Sequence, residues 1–308
     1  MNTYSPQIAA ESPSANPRPH PGTLIRATLK DGLYRLVTTF LGDANGMVTL
    51  PVVAGPGRGL RIRADLVQRK DAYFWGKYDS QILARLTSII QPGWTVWDCG
   101  TYIGFYTLFF ARAVGPNGCV VAIEPDQRNL QWTRDNVKLN GFANVRFVNA
   151  AIGAPLGEVD FLLDDKTNSH LPGCYAGGCD MKTVWNLRDR ECAKTRVLCM
   201  SLDQALYVKN LPAPNLIKID IEGAEKDALP YLERLAADVR PQIVLELHNP
   251  ECDRAAWNFA KRAGYRLWSM NTGEELTDED KVHGTLLCAS ADEASSSKKL
   301  VGSQETRY

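Results

Sequence analysis

From Ser80 onward, short and almost wholly apolar runs alternate with longer stretches whose apolar residues recur at helical spacing. Ile82, Leu83, Leu86, Ile89 and Ile90 share one face of a predicted helix over 81–90, which Pro92-Gly93 ends. The pattern then predicts strands over 95–98, 119–124, 144–149, 158–163, 215–220 and 242–247, with closing strands over 265–269 and 285–289. Helices are predicted between them over 103–114, 127–139, 224–236 and 252–263. Central strands that are apolar throughout are those of a parallel sheet covered on both faces. The predicted fold class is therefore α/β, a Rossmann-like doubly wound sheet, mostly parallel. Its ligand site is expected beyond the carboxyl ends of the strands, near the switch point.

Before Ser80 the pattern is different. Leu33–Thr39 and Gly59–Ala64 alternate as short strands would, between glycine turns, and predict a small β-rich N-terminal extension over 23–75. Gly55-Pro56-Gly57-Arg58-Gly59 lacks the flanking strand and helix of a phosphate loop and reads as a turn. Residues 1–22 and 291–308 are polar or proline-rich and are expected to be disordered tails. A catalytic domain over 76–290 is left, with an insert at 166–196.

Composition narrows the function class. Lys+Arg and Asp+Glu both number 35, for a net charge of +0, so no global field draws the protein to nucleic acid or an anionic membrane. The 308 residues contain no run of the roughly 18–20 apolar residues that a membrane span needs, and the N-terminus has no export signature. A cytoplasmic protein with free thiols is expected, acting on an uncharged or mixed small molecule. The oligomeric state is left open.

The chemistry concentrates at strand ends. The first strand runs into Asp98-Cys99-Gly100-Thr101-Tyr102-Ile103-Gly104, a D-x-G-x-x-x-G turn. Gly100 permits a sharp turn and backbone contact with a ligand, and Gly104 permits close packing as the helix starts. A dinucleotide pyrophosphate wants G-x-G-x-x-G, and Asp98 would repel it. S-adenosyl-L-methionine carries an ammonium and a sulfonium instead, which Asp98 attracts. Glu124, before Pro125 at the end of the second strand, is placed for both ribose hydroxyls. Ala150 and Ala151, after Asn149, are small enough to admit adenine.

A second constellation follows. Lys218-Ile219-Asp220-Ile221-Glu222-Gly223-Ala224-Glu225 ends a buried strand in an acidic turn, and Glu246 and His248 close the next one. These segments resemble the FkbM family of methyltransferases, a branch of the class I fold. So do Gly76-Lys77-Tyr78-Asp79, Val96–Gly104, Ile123-Glu124-Pro125, Asn168-Ser169, Ser201-Leu202-Asp203 and Val244-Leu245-Glu246. The similarity runs from about Gly76 to Leu247, with I-D-x-E-G-x-E its most specific part. It implies methylation of a hydroxyl oxygen on a small molecule or sugar. Thr101-Tyr102 replaces the family's common Ala-Asn, and Asp79 its common Glu.

The expected cofactor-binding residues are Tyr78, Asp98, Gly100, Thr101, Gly104, Glu124, Pro125, Ala150, Ala151 and Asp220. The expected catalytic residues are Asp220 or His248 as base, with Glu222 and Glu246 positioning the acceptor. No residue is assigned to a metal, although Asp220 and Glu246 could hold Mg²⁺. Glu225 could equally be an acidic first turn, and His248 a strand-end cap. The insert's Trp185 suggests a lid, and its His170, Cys174, Cys179 and Cys192 form at most a loose zinc set. A nicotinamide-dependent oxidoreductase and a non-catalytic adenosyl-binding protein are the rival classes.

Overall fold

The computed structural model describes residues 32–43, 46–65, 71–163 and 193–289. The elements run α1 (32–41), β1 (Val48–Pro51), β2 (Arg61–Ala64), α2 (Asp71–Phe74), α3 (Ser80–Ile89), β3 (Thr95–Cys99) and α4 (Phe105–Val114). Then come β4 (Cys119–Ile123), α5 (Gln127–Leu139), β5 (Val145–Val148), β6 (Ala151–Ile152), β7 (Gly157–Leu163), β8 (Ala193–Met200) and α6 (Leu202–Tyr207). The chain continues through β9 (Leu216–Ile219), α7 (Glu225–Ala228), α8 (Glu233–Val239), β10 (Gln242–Glu246), α9 (Pro250–Ala263), β11 (Arg266–Ser269), β12 (Glu275–Leu276) and β13 (Thr285–Ala289).

Eight strands form one sheet in the order β12-β11-β13-β10-β9-β3-β4-β5. The five from β10 to β5 are parallel, and β13, β11 and β12 pair antiparallel at the far side. From β3 the chain winds outward through β4 to β5, then returns to the other side of β3 as β9. That reversal is the switch point, and both β3 and β9 end there. Their side chains explain the pairing: Val96, Trp97, Leu216, Ile217 and Ile219 are all buried, with helices on both faces. β6, β8 and β7 form a separate three-stranded sheet.

Several local expectations are corrected. Leu33–Thr39 lies in helix α1, not in a strand. The β-branched Val37-Thr38-Thr39 favour a strand, but Tyr34 and Val37, three residues apart, pack on the core, and the Tyr34 hydroxyl donates to Asp71 Oδ2 at 3.0 Å. The extension is thus mixed rather than β-rich. It also shares its core with the main domain: Val48, Val52, Leu60, Ile62, Tyr73 and Phe74 lie in the same cluster as Phe105 and Leu108.

The helix predicted over 224–236 is broken into α7, a 3-10 turn at Leu229–Tyr231, and α8. Pro230 removes a backbone N–H and crowds the preceding turn. The insert is also shorter than expected at its end, because residues 193–196 belong to β8 and pair with β7. Arg196 there reaches Glu158 and Asp160 across the ladder. Trp185, Asn168, Ser169, His170, Cys174, Cys179 and Cys192 lie outside the described residues, so the lid and zinc readings do too, as do both tails.

Candidate active site

A cavity of about 270 Å³ opens at the carboxyl ends of β3, β4 and β9. Its floor is the turn after β3. Gly100 has φ +82°, and a Cβ there would lie 1.8 Å from the carbonyl oxygen of Asp220, so only glycine allows the two strand ends to meet. Tyr102 sits at φ 50°, held by its N–H to Glu124 Oε2 at 3.0 Å and by the Thr133 hydroxyl on its carbonyl at 2.9 Å. Gly104 begins α4, and a Cβ on it would strike Thr133 on α5. Its role is the packing one that the sequence suggests.

Glu124 is buried on the wall beyond β4. Oε1 accepts from Asp126 N–H at 3.0 Å, and Oε2 accepts from Tyr102 N–H. Burial pushes its carboxyl up to about 8, against the pull of those two N–H groups. Pro125, Asn129, Ala150, Ala151 and Ile152 continue this side. Tyr73 from the extension and Tyr78 just after it also line the cavity, with Phe105 and Tyr106 from α4. Asp79, at φ 44°, accepts from the Tyr106 hydroxyl at 3.0 Å.

The third side is acidic. Asp220, Ile221 and Glu222 line the cavity together with Lys218, whose ammonium lies 2.9 Å from Asp220 Oδ2 and 3.9 Å from Asp98 Oδ1. Burial disfavours the Lys218 charge, but Asp220, Asp98 and Glu246 more than offset it and raise its pKa. Asp98 itself is fully buried behind the wall. The Thr107 hydroxyl donates to its Oδ2 at 2.5 Å, and burial lifts the carboxyl to about 6. Among the described residues its Oδ1 has no hydrogen-bond partner.

Glu246 and His248 stand behind Asp220 and do not line the cavity. The negative charge of Asp220, and then burial, bring Glu246 up to about 8. His248 Nδ1 lies 3.1 Å from Glu225 Oε1, while Nε2 lies 3.6 Å from both Asp220 Oδ1 and Glu222 Oε2. Burial works against the imidazolium, yet Glu225, Asp220 and Glu222 raise its pKa to about 10. Glu225 is wholly buried and also takes the N–H groups of Ile221 and Gly223 and the Cys252 thiol.

Nine of the expected residues therefore share the cavity wall: Tyr78, Gly100, Thr101, Glu124, Pro125, Ala150, Ala151, Asp220 and Glu222. Asp98, Gly104, Glu246 and His248 do not reach it. Asp98 instead lies behind the wall, beside Lys218 and Thr107. Lys218, Tyr73, Tyr106 and Asn129 line the cavity with no role assigned from sequence. Lys218 carried a signal, since an ammonium inside the apolar run 216–219 must be paired. The aromatic residues carried none, because core and ligand wall use the same side chains.

The switch point of this α/β sheet thus gathers a glycine turn, a buried acid and an acidic cluster around one cavity. The profile of the methyltransferase FkbM domain matches residues 98–267. The chain belongs to the FkbM methyltransferase family. It is 28% identical over 176 residues to "Methyltransferase 1" of Beauveria bassiana (strain ARSEF 2860), covering 51% of this chain and 66% of that one. It is 30% identical over 112 residues to the human transmembrane O-methyltransferase, covering 32% and 36%. The chain thus spans less than two thirds of the length of these relatives. A methyltransferase FkbM from Methylobacillus flagellatus KT, solved by crystallography, is 15% identical with a TM-score of 0.39, over 87% of this chain and 60% of that one. Among the described residues, no helix is long and apolar enough to cross a membrane.

Proposed function

We propose that the cavity seats S-adenosyl-L-methionine and that the enzyme transfers its methyl group to a hydroxyl of a small molecule or sugar. The observation that carries this reading is the buried Glu124, aimed from the end of β4 into a cavity whose floor only Gly100 permits. A carboxyl group there can bond ribose hydroxyls, and the small Ala150 and Ala151 leave room for a flat base. The acidic side toward Asp220 suits the cationic methionine end and would oppose a pyrophosphate.

When bound, the cofactor supplies an electrophilic methyl on a positively charged sulfur. The chain's own contribution is alignment and the handling of one proton. Asp220 is the carboxylate on the wall, held through Oδ2 by Lys218, and it is the residue through which an acceptor hydroxyl is activated. His248 already holds its proton at neutral pH among three carboxylates, so it does not serve as the base. Glu222 stands beside Asp220 on the wall and positions the acceptor, with Glu246 behind. The 30% identity to a transmembrane O-methyltransferase supports oxygen as the acceptor atom.

Asp220→Asn keeps the shape and removes the charge. It should lower kcat by about 10²-fold or more with any accepted hydroxyl substrate. Full turnover by this variant, with an unchanged KM, would remove Asp220 from the chemistry.

A further inference from the structure

The exposed apolar side chains are not scattered over the surface. Of the ten large ones among the described residues, six lie between 33 and 75: Leu33, Leu36, Phe40, Leu41, Val53 and Trp75. Phe40 is 78% exposed and Trp75 53%, so two large aromatic rings stand in water. The elements that carry these residues adjoin. The Tyr34 hydroxyl of α1 donates to the Asp71 side chain at the start of α2, and the Trp75 N–H donates to the Asp71 carbonyl at 3.1 Å. The Val53 N–H donates to the Phe74 carbonyl at 2.9 Å.

Within α1 the pattern is ordered. At about 100° per residue, Leu33, Leu36 and Phe40 fall within about 60° of one another. Tyr34 and Val37 use the neighbouring face to pack on the core, so this stripe is not the one that folding buries. Arg35 and Thr39 are exposed on its other flank.

Charge says what covers the patch. The whole chain has a net charge of +0, but its balance does not extend to this segment. Among the described residues between 32 and 79, Arg35, Arg58, Arg61 and Lys77 are exposed, against a single exposed acid, Asp43. The Asp43 carboxylate is already taken, accepting from Arg63 Nε at 2.6 Å. Arg35 lies on α1 itself, Lys77 stands two residues after Trp75, and Arg58 belongs to the turn that follows Val53. We propose that this face docks on an anionic lipid surface. The α1 stripe and Trp75 enter the headgroup boundary, and the basic side chains meet the lipid phosphates. An apolar stripe, aromatic rings and flanking cations are the set with which a helix lies in a membrane interface. The docking side chains line no part of the cavity, so the inference does not depend on the cofactor reading.

Co-sedimentation of the full chain with vesicles tests this, comparing phosphatidylcholine alone with phosphatidylcholine containing about one quarter phosphatidylglycerol. Binding to the anionic vesicles is expected, weakened at least about 10-fold as NaCl is raised from about 0.1 M to about 1 M. Leu36→Ser with Phe40→Ser, and Arg35→Ser with Lys77→Ser, should each weaken binding by at least about 10-fold. All four side chains are exposed, and an unchanged melting temperature shows that each variant is folded. No binding of the wild type to anionic vesicles, or equal binding by both folded variants, would overturn the proposal. So would a dimer in sedimentation equilibrium that the Phe40 variant dissolves while vesicles stay unbound, which would give the face to a second copy.

Discussion

Glu124 shows how a single buried acid can report on the site. Its carboxyl is lifted from an ordinary 4.5 to about 8, chiefly by burial. The native state therefore holds a proton that the unfolded chain has already released between those two values. Stability from this group is complete below about 4.5 and is lost as the pH rises toward 8. The slope it adds is at most one proton, about 1.4 kcal/mol per pH unit. Denaturant unfolding of the ligand-free protein across that range should show this fall, and Glu124→Gln should flatten it. An identical pH dependence in the variant would mean that Glu124 ionises normally. Glu124 was legible in the sequence, because an acid at the end of an apolar strand has few structural reasons to be there. Its two backbone partners, Tyr102 and Asp126, were not.

At the scale of elements, the site is made by strand ends that meet across the switch point. Gly100 is the joint, since its φ of +82° and the 1.8 Å approach to the Asp220 carbonyl exclude any side chain. Gly100→Ala must push β3 and β9 apart at their carboxyl ends. It should destabilise the fold by several kcal/mol, on the order of 1–3 for the backbone conformation plus the clash, and weaken cofactor binding in any protein that folds. A variant with wild-type melting temperature and cofactor affinity would contradict this packing. The central strands were readable because burial on both faces leaves no alternation to misread. Where chain-local preference and packing disagree, the reading failed: Val37-Thr38-Thr39 favours a strand, yet Tyr34 and Val37 anchor a helix on the core. β8 was hidden for a different reason. Its Lys194 and Arg196 face outward from a ladder whose partner, β7, lies on the other side of the insert.

At the scale of the whole molecule, the extension and the sheet make one unit. Tyr73 and Tyr78 belong to the stretch before α3, yet they wall the cavity and pack with Phe105 of α4. The extension thus supplies Tyr73 to the cavity wall beside Tyr78; Tyr78 was expected there from sequence and Tyr73 was not. The lone pairs of Glu124, the carboxylate of Asp220 and the aromatic wall converge from four segments far apart in the chain. That convergence is what the proposed methyl-transfer site rests on. The central claim is that it seats S-adenosyl-L-methionine, and calorimetric titration of the purified full chain with S-adenosylhomocysteine tests it most directly. One site per chain is predicted, with Glu124→Ala weakening it by roughly 10- to 100-fold through the lost ribose bonds. No heat with S-adenosylhomocysteine, together with saturable binding of NAD, would contradict the account.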